Sequence, residues 1–562
     1  MPPRFSYALT ELTLFANHLE FQRRTSPCEA ACAAGVPIQK LNALVKQNRI
    51  AQALQFLRSR NPFSAVTGRV CSHPCETACN RNNFDEGLSI RALERHASDC
   101  ADLTTPGKQA ATGKRIAIIG SGPAGMTCAY FSVLLGHAVT VFEASSVLGG
   151  MPKAGIPDFR LPKHVLDREI GHILALGVNA KTNTAVGTDV TLDAILAEYD
   201  ACLIAAGAWK ERTLDLPGAE SALSGLAFLK QANLGQRNSI GRKVVIIGGG
   251  GVAYDCAFTA RRLGATEVHI ICLEKAGEMR ASAEDIRQGE EEGITVHNGA
   301  AVSRILGRPA AGVEIVQISG FDFDAHGRLA IQVRSNRRER LQADTLIAAV
   351  GVEPDIAAID MHHRIGLTSR GTIAVDPDTM ATSLERVYAA GDVVTGAGTV
   401  AQAVGGGRLA AIAINNHFLG LAPGQGLRIV VDGKGEPGLR TYPGTTQQHV
   451  VKYAEMMNLD FFEKNNRRQT VRLPVSSSVA SFEECDRGLG EDEASAEAER
   501  CFHCGQCRLC GNCVQDCPGY VLVMTDQGPK VAYPEECWHC GNCRIGCPSA
   551  AVAYEFPVSM MV

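Results

Sequence analysis

Two short apolar runs, each closed by a glycine-rich turn, set the hydrophobic pattern of the chain. Residues 116–119 (Ile-Ala-Ile-Ile) and 244–247 (Val-Val-Ile-Ile) are dominated by β-branched residues, and each predicts a buried strand. A helical stretch follows each turn, 126–135 in the first case, and then a second β-type run, 138–142 and 268–272. Strand, turn, helix and strand in that order predict a parallel βαβ unit, so the chain carries two of them. Residues 1–106 read as helical and compact. Residues 101–113 (ADLTTPGKQAATG) are polar and turn-forming and read as a linker.

Length adds domain count to this picture. At 562 residues the chain exceeds what one core supports, so three or more domains are expected. The boundaries expected are 1–106, a discontinuous domain of 107–240 with 345–420, a domain of 241–344 inserted within it, a connector of 421–490, and a terminal domain of 491–562, the return at 345 and the connector resting on the resemblance described below. A net charge of −4 gives no reason to expect nucleic acid or an anionic membrane surface. There is no run of 18 apolar residues, and the first twelve residues lack the apolar core of a signal peptide.

The glycines of the first turn are spaced G-x-G-x-x-G: Gly120, Gly122 and Gly125, with Pro123 and Ala124 between them. The first allows a tight turn, the second lets backbone approach a pyrophosphate, and the third brings helix and strand together. The helix N-terminus then offers free N–H groups and the positive end of its dipole to phosphate. Glu143 ends the second strand, 23 residues after Gly120, where it can accept hydrogen bonds from a ribose. The second turn has the G-x-G-x-x-A form, with Gly248, Gly250, Gly251, Val252 and Ala253. Its second strand leads to Glu274, which favours a free ribose 2′-hydroxyl over a 2′-phosphate and so NAD(H) over NADP(H). Arg261 and Arg262 on the helix are expected to be solvated, and Arg280 to be able to fold back toward the ribose. The basic run 334–340 (RSNRRER) is expected to be a solvated hairpin tip, because no aromatic residue interleaves it.

The 21 cysteines are clustered: five in residues 28–79 and ten in residues 501–547, a pattern of metal clusters in a reducing cytoplasm. Cys28 and Cys32, then Cys71, Cys75 and Cys79, are spaced by four, which puts each group on one helix face or around one turn. Such a set points to an iron–sulfur cluster. At the other end Cys507, Cys510, Cys513 and Cys517-Pro are followed 30 residues later by Cys537, Cys540, Cys543 and Cys547-Pro. This is the spacing of a two-cluster bacterial ferredoxin, in which the fourth cysteine of each unit crosses to the other cluster. One cluster would take Cys507, Cys510, Cys513 and Cys547, the other Cys537, Cys540, Cys543 and Cys517. Zinc ribbons lack the crossing cysteine. Cys501 and Cys504 fall outside the eight, as spare thiols or as ligands for something at a partner surface. Cys485 stands alone and reads as structural.

These motifs resemble the glutamate synthase small subunit family and the N-terminal half of dihydropyrimidine dehydrogenase. The resemblance implies an N-terminal helical Fe–S domain and two nested Rossmann-like domains, with an α+β ferredoxin domain following. It implies FAD at the first fingerprint, from Gly149–Gly150 and the GIP segment after Glu143, the strand end at Gly207, the segment 345–354, and Gly391 with Asp392 on a ribityl hydroxyl. It further implies N-terminal ligands Cys32, Cys71 and Cys75, with the Glu94 side chain in the fourth place. The family usually begins with a C-x-x-C pair that completes a second cluster, and this chain has none before Cys28. Cys28 and Cys79 match positions serving that cluster, either as spare thiols or as substitute ligands. Three [4Fe–4S] clusters are therefore expected. No C-x-x-x-x-C occurs between Glu143 and Tyr199, which argues against a dithiol–disulfide relay.

NADH delivers a hydride, FAD can accept the pair and release single electrons, and clusters carry one electron each. A chain with sites for all three reads as a converter between pyridine nucleotide and a one-electron acceptor, with no site for an organic substrate visible. The expected role is the NADH-handling subunit of a cytoplasmic redox complex. By resemblance its partner is a 2-oxoacid:acceptor oxidoreductase of the phenylglyoxylate type. The alternatives are a free-standing or bifurcating NAD(P)H:ferredoxin oxidoreductase, a sulfite-reductase-associated subunit, and a mainly structural electron-wiring subunit.

Overall fold

The computed structural model describes residues 5–7, 11–15, 18–236, 240–307, 311–323, 329–421, 426–431, 437–442, 448–526 and 528–554. The chain divides into two compact units. The first comprises residues 1–109, 415–470 and 488–562, and the second 110–414 and 471–487. The stretch expected to be one connector is thus shared between them.

The second unit is built on two parallel sheets. The first runs in the order Val387–Ala389, Ala201–Ile204, Arg115–Ile119, Ala138–Phe142, Asn179–Lys181, all parallel. Its central strands are buried on both faces, which is why they read as continuous apolar runs rather than alternating ones. Helix Pro123–Leu134 is buried along its whole length beside them. The second sheet runs Thr295–His297, Glu267–Ile271, Lys243–Ile247, Thr345–Ala348, Leu223–Ser224, again all parallel. Here the expected boundary at residue 345 shifts. Thr345–Ala348 completes the second sheet, its apolar run pairing with Val244–Ile247, and the chain returns to the first sheet only at Val387–Ala389. Strands Ala300–Leu306, Gly312–Phe323 and Leu329–Gln342 form an antiparallel sheet.

Two expectations about arginines are corrected. The basic run 334–340 is not a hairpin tip but part of strand Leu329–Gln342, whose register sets Arg340 against Glu314. Arg338 and Arg340 both bond the Glu314 carboxylate, at 2.6 and 3.4 Å. Arg262 is not solvated: its side chain is 0% exposed and its fork meets Glu292, 1% exposed, at 2.8 and 3.0 Å. Ser478 and the Cys485 thiol complete the surroundings of the same guanidinium nitrogen, at 2.9 and 3.4 Å. Removing one partner of a buried pair strands the other charge. Arg262→Met is therefore expected to cost about 3–5 kcal/mol of stability, read as a lowered unfolding midpoint in denaturant. A double change, Arg262→Met with Glu292→Leu, should recover much of that loss, and failure to do so would remove the pair as the cause.

The first unit holds helices Ile38–Lys46, Ile50–Arg58, Ser64–Val70 and Ile90–Asp99 with the later helix Glu491–Glu499. Strands precede them where a helical start was expected. Glu11–Phe15 pairs His18–Thr25, which pairs Gln448–Val450, while Phe5–Tyr7 pairs Val552–Tyr554. Glu11–Phe15 and His18–Thr25 are neighbours in sequence, but the partners Gln448–Val450 and Val552–Tyr554 lie hundreds of residues away, so local pattern could not reveal those pairings. Among the described residues no helix is long and apolar enough to cross a membrane.

Candidate nucleotide and iron–sulfur sites

The first glycine turn is closed by backbone contact. Gly120 has φ +103°, and a Cβ there would lie 2.4 Å from the Ala205 oxygen; one at Gly125 would lie 2.0 Å from the Gly120 oxygen. Gly122 is different. It caps helix Pro123–Leu134 in extended conformation (φ −66°, ψ 178°), and a Cβ on it would meet nothing within 4 Å. Backbone from distant segments gathers at this helix start. A Cβ at Gly150 would come within 2.8 Å of the Gly122 Cα, one at Gly391 within 3.0 Å of the Ala124 Cβ, and one at Gly407 within 2.1 Å of the Ala124 oxygen. Gly207, with φ +77°, lies against the Trp209 indole. Glu143 is held over the turn: Oε2 accepts from the Ser121 N–H and hydroxyl at 2.9 and 2.6 Å, and Oε1 from the Ser145 N–H at 2.8 Å. Asp392 accepts from the Gly398 N–H, and burial pushes its carboxyl up from the ordinary range. Sequence reasoning missed Ser121 and Gly407. A hydroxyl inside the G-x-G step was the available signal for the first, whereas nothing local marked the second.

The second turn repeats this geometry. Gly248 has φ +136° and a Cβ there would lie 2.2 Å from the Ala349 oxygen. Gly250 caps helix Gly251–Arg262 at φ −97°, and the space beside Gly250 and Gly251 is open. Ala253 is buried, and Val252 is half exposed at the helix start. Glu274 stands at the turn: a Cβ on Gly249 would lie 2.7 Å from its Oε2. The Ala281 N–H donates to the Gly249 oxygen at 3.2 Å, which sets Arg280, exposed, beside the same turn. Both turns thus present a helix N-terminus with open space beside its capping glycine and a carboxylate at the turn, the features that a dinucleotide fits.

Within the first unit Cys32, Cys71, Cys75 and Glu94 draw together. Burial raises the Cys75 thiol far above its usual range, and Cys32, Cys71 and Glu94 add to the rise. Cys71 is pushed up to about 11, first by burial and then by the Glu94 charge. Glu94 Oε1 accepts from Asn61 Nδ2 at 2.9 Å and Thr67 Oγ1 at 2.8 Å, which fixes the carboxylate. At the other end the cysteines of the two loops lie close together: burial raises the Cys513 thiol and Cys547, Cys507, Cys510 and Cys543 add to it, and burial raises the Cys543 thiol with Cys517, Cys540 and Cys537 adding. Cys517, Cys537, Cys540 and Cys543 line one cavity. Each loop places a left-handed residue before its second cysteine, Leu509 and His539, whose N–H donates to the first cysteine's sulfur at 3.4 Å. Among the described residues no three Cys, His, Asp or Glu side chains are grouped for a single metal ion.

Two nucleotide turns and these cysteine sets define a flavin- and iron–sulfur-dependent NAD(P)H oxidoreductase. Residues 114–407, over half of the chain, match the pyridine nucleotide-disulphide oxidoreductase family. The chain belongs to that family, and its flanks match two iron–sulfur modules: the 4Fe-4S domain II of dihydropyrimidine dehydrogenase over 21–105 and a 4Fe-4S dicluster domain over 506–552. The NADP(+)-dependent formate dehydrogenase subunit beta of Moorella thermoacetica is 35% identical over 85% of this chain and 70% of its own length. The NADPH-Fe(3+) oxidoreductase subunit beta of Geobacter sulfurreducens is 31% identical over 87% and 76%. The glutamate synthase [NADPH] small chain of Azospirillum brasilense is 31% identical over 69% and 86%. The family relationship anticipated from the motifs therefore holds across the chain.

Proposed function

We propose that the chain is the NADH-handling subunit of a larger redox complex. The observation that carries the coenzyme reading is Glu274, whose carboxylate stands beside the second glycine turn, 2.7 Å from where a Cβ on Gly249 would lie. There it accepts hydrogen bonds from a 2′-hydroxyl and repels a 2′-phosphate. The helix N-terminus at Gly250 binds and orients the pyrophosphate, and that at Gly122 does the same at the flavin site, with Glu143 on the ribose and Asp392 on the ribityl chain. Cys32, Cys71, Cys75 and Glu94 hold one [4Fe–4S] cluster, and the eight ferredoxin cysteines hold two. When bound, the flavin exchanges a hydride with the nicotinamide and the clusters carry single electrons. No side chain need move a proton for hydride exchange, so the chain's task is positioning.

Support for a complex comes from the relatives, which are named as a subunit beta or a small chain of larger enzymes. A 2-oxoacid:acceptor oxidoreductase remains the partner that resemblance favours. A second reading, a formate-oxidising partner, draws on the Moorella relative, which matches along 85% of the chain. Isolation of the native complex and identification of its catalytic subunit decides between them, and a monomer fully active on ferredoxin alone would overturn both.

The relatives with NADP in their names make the coenzyme the sharpest test. Anaerobic titration should bleach the flavin with NADH at concentrations on the order of tenfold below those needed with NADPH. Glu274→Arg should reverse that preference. Bleaching by NADPH alone in the natural chain would overturn the NADH reading and turn attention to Arg280.

A further inference from the structure

Four cysteines that neither motif family absorbs meet inside the first unit. Cys28, Cys79, Cys501 and Cys504 line one cavity. Cys28 comes from helix Pro27–Ala31, Cys79 from the step before Asn80–Asn83, and the other two from the segment just after helix Glu491–Glu499. The four-residue spacings now have a reason. Cys28 and Cys79 face this cavity, while Cys32 and Cys75, four residues from each, belong to the neighbouring set with Cys71 and Glu94.

The loop at Cys501 is built like the two ferredoxin loops. In Cys501-Phe-His-Cys504-Gly505, His503 is left-handed at φ +54° and Gly505 at φ +77°, and the His503 N–H donates to the Cys501 sulfur at 3.4 Å. Leu509 and Gly511, and His539 and Gly541, do the same around Cys507 and Cys537. A third copy of a sulfur-cradling loop is therefore aimed into this cavity.

Polar side chains of the wall also face its sulfurs. Asn42 is 1% exposed and lines the cavity, its side-chain amide donating to the Cys501 sulfur. Asn80 Nδ2 points at the Cys504 sulfur at 3.4 Å, and the Ser26 hydroxyl lies 3.0 Å from the Cys28 sulfur. Ile38, Leu88, Ile90 and Phe502 exclude water, and buried Arg81, ion-paired with Asp85, closes the wall. Polar N–H and O–H groups on sulfur within apolar walls are what a negatively charged cluster needs.

We propose that Cys28, Cys79, Cys501 and Cys504 hold a fourth [4Fe–4S] cluster, with the C-x-x-C pair supplied from the far end of the chain. Each thiol loses its proton as its sulfur bonds one iron, so four Fe–S bonds replace four S–H bonds and four protons leave to solvent. The cluster then takes or gives one electron at a time, the electrons coming from the reaction already proposed. The site itself does not depend on the coenzyme reading, because its test counts iron rather than turnover.

The test is iron, acid-labile sulfide, zinc and flavin measured on the anaerobically purified full chain. About sixteen irons and sixteen sulfides per flavin are expected, against about twelve without this site. Cys501→Ser with Cys504→Ser should lose about four of each, together with one component of the dithionite-reduced paramagnetic spectrum, while NADH still bleaches the flavin. Should that variant fail to fold, the count and spin integration of the natural chain decide alone. About twelve irons in the natural chain, or one zinc in place of the missing four, would overturn the proposal.

Discussion

Gly122→Val is expected to give a folded chain that no longer binds flavin. Gly122 sits at φ −66°, which valine adopts, and a Cβ there would meet no protein atom within 4 Å. It fills instead the place from which the helix start would reach a pyrophosphate. Losing two hydrogen bonds to a charged group removes about 3–6 kcal/mol, so flavin affinity should fall by at least about a hundredfold. Absorbance of the bound flavin reads the loss, and circular dichroism together with the iron content reads the intact remainder. Gly125→Ala is the contrast. Its Cβ would lie 2.0 Å from the Gly120 oxygen, so helix and strand must separate and the whole unit should be destabilised. If Gly122→Val kept its flavin, the first turn would not be a flavin site.

Gly250→Trp applies the same logic to the second turn with a different readout. Gly250 caps its helix at φ −97°, again with nothing within 4 Å of a Cβ. The indole would cover the helix N-terminus and exclude the coenzyme pyrophosphate. Reduction of the flavin by NADH should slow by at least about a hundredfold, since the same two charge-assisted bonds are lost. Flavin content, reduction by dithionite, and dye oxidation of prereduced clusters should be unchanged, because no change reaches Gly122 or the cysteines. Turnover with NADH surviving in this variant would remove the second turn from the coenzyme pathway.

The two variants divide the molecule in the way that the sequence divides it. Gly120, Gly122, Gly125 and Glu143 could be assigned from spacing alone, since a tight turn between a strand and a helix makes its demands within a few residues. The same holds for Gly248, Gly250, Ala253 and Glu274, and for the repeated cysteine spacing from 507 to 547. In each case the chemistry is written in local backbone requirements: positive φ, close approach, a free helix end, a sulfur-cradling loop.

Tertiary structure decided the rest. Arg262 reads as a surface residue of an amphipathic helix, and only the return of residues 478–485 beside Glu292 buries it. Thr345–Ala348 is an apolar run that either sheet might have taken, and its pairing with Lys243–Ile247 is a long-range choice. Cys28 and Cys501 are separated by more than four hundred residues, so no spacing rule connects them. The sequence by itself determined which dinucleotide turns and ferredoxin loops exist, because those are local bargains between backbone geometry and ligand. Only the fold decided which distant cysteines share a cavity and which charges are buried, because burial and convergence are properties of packing.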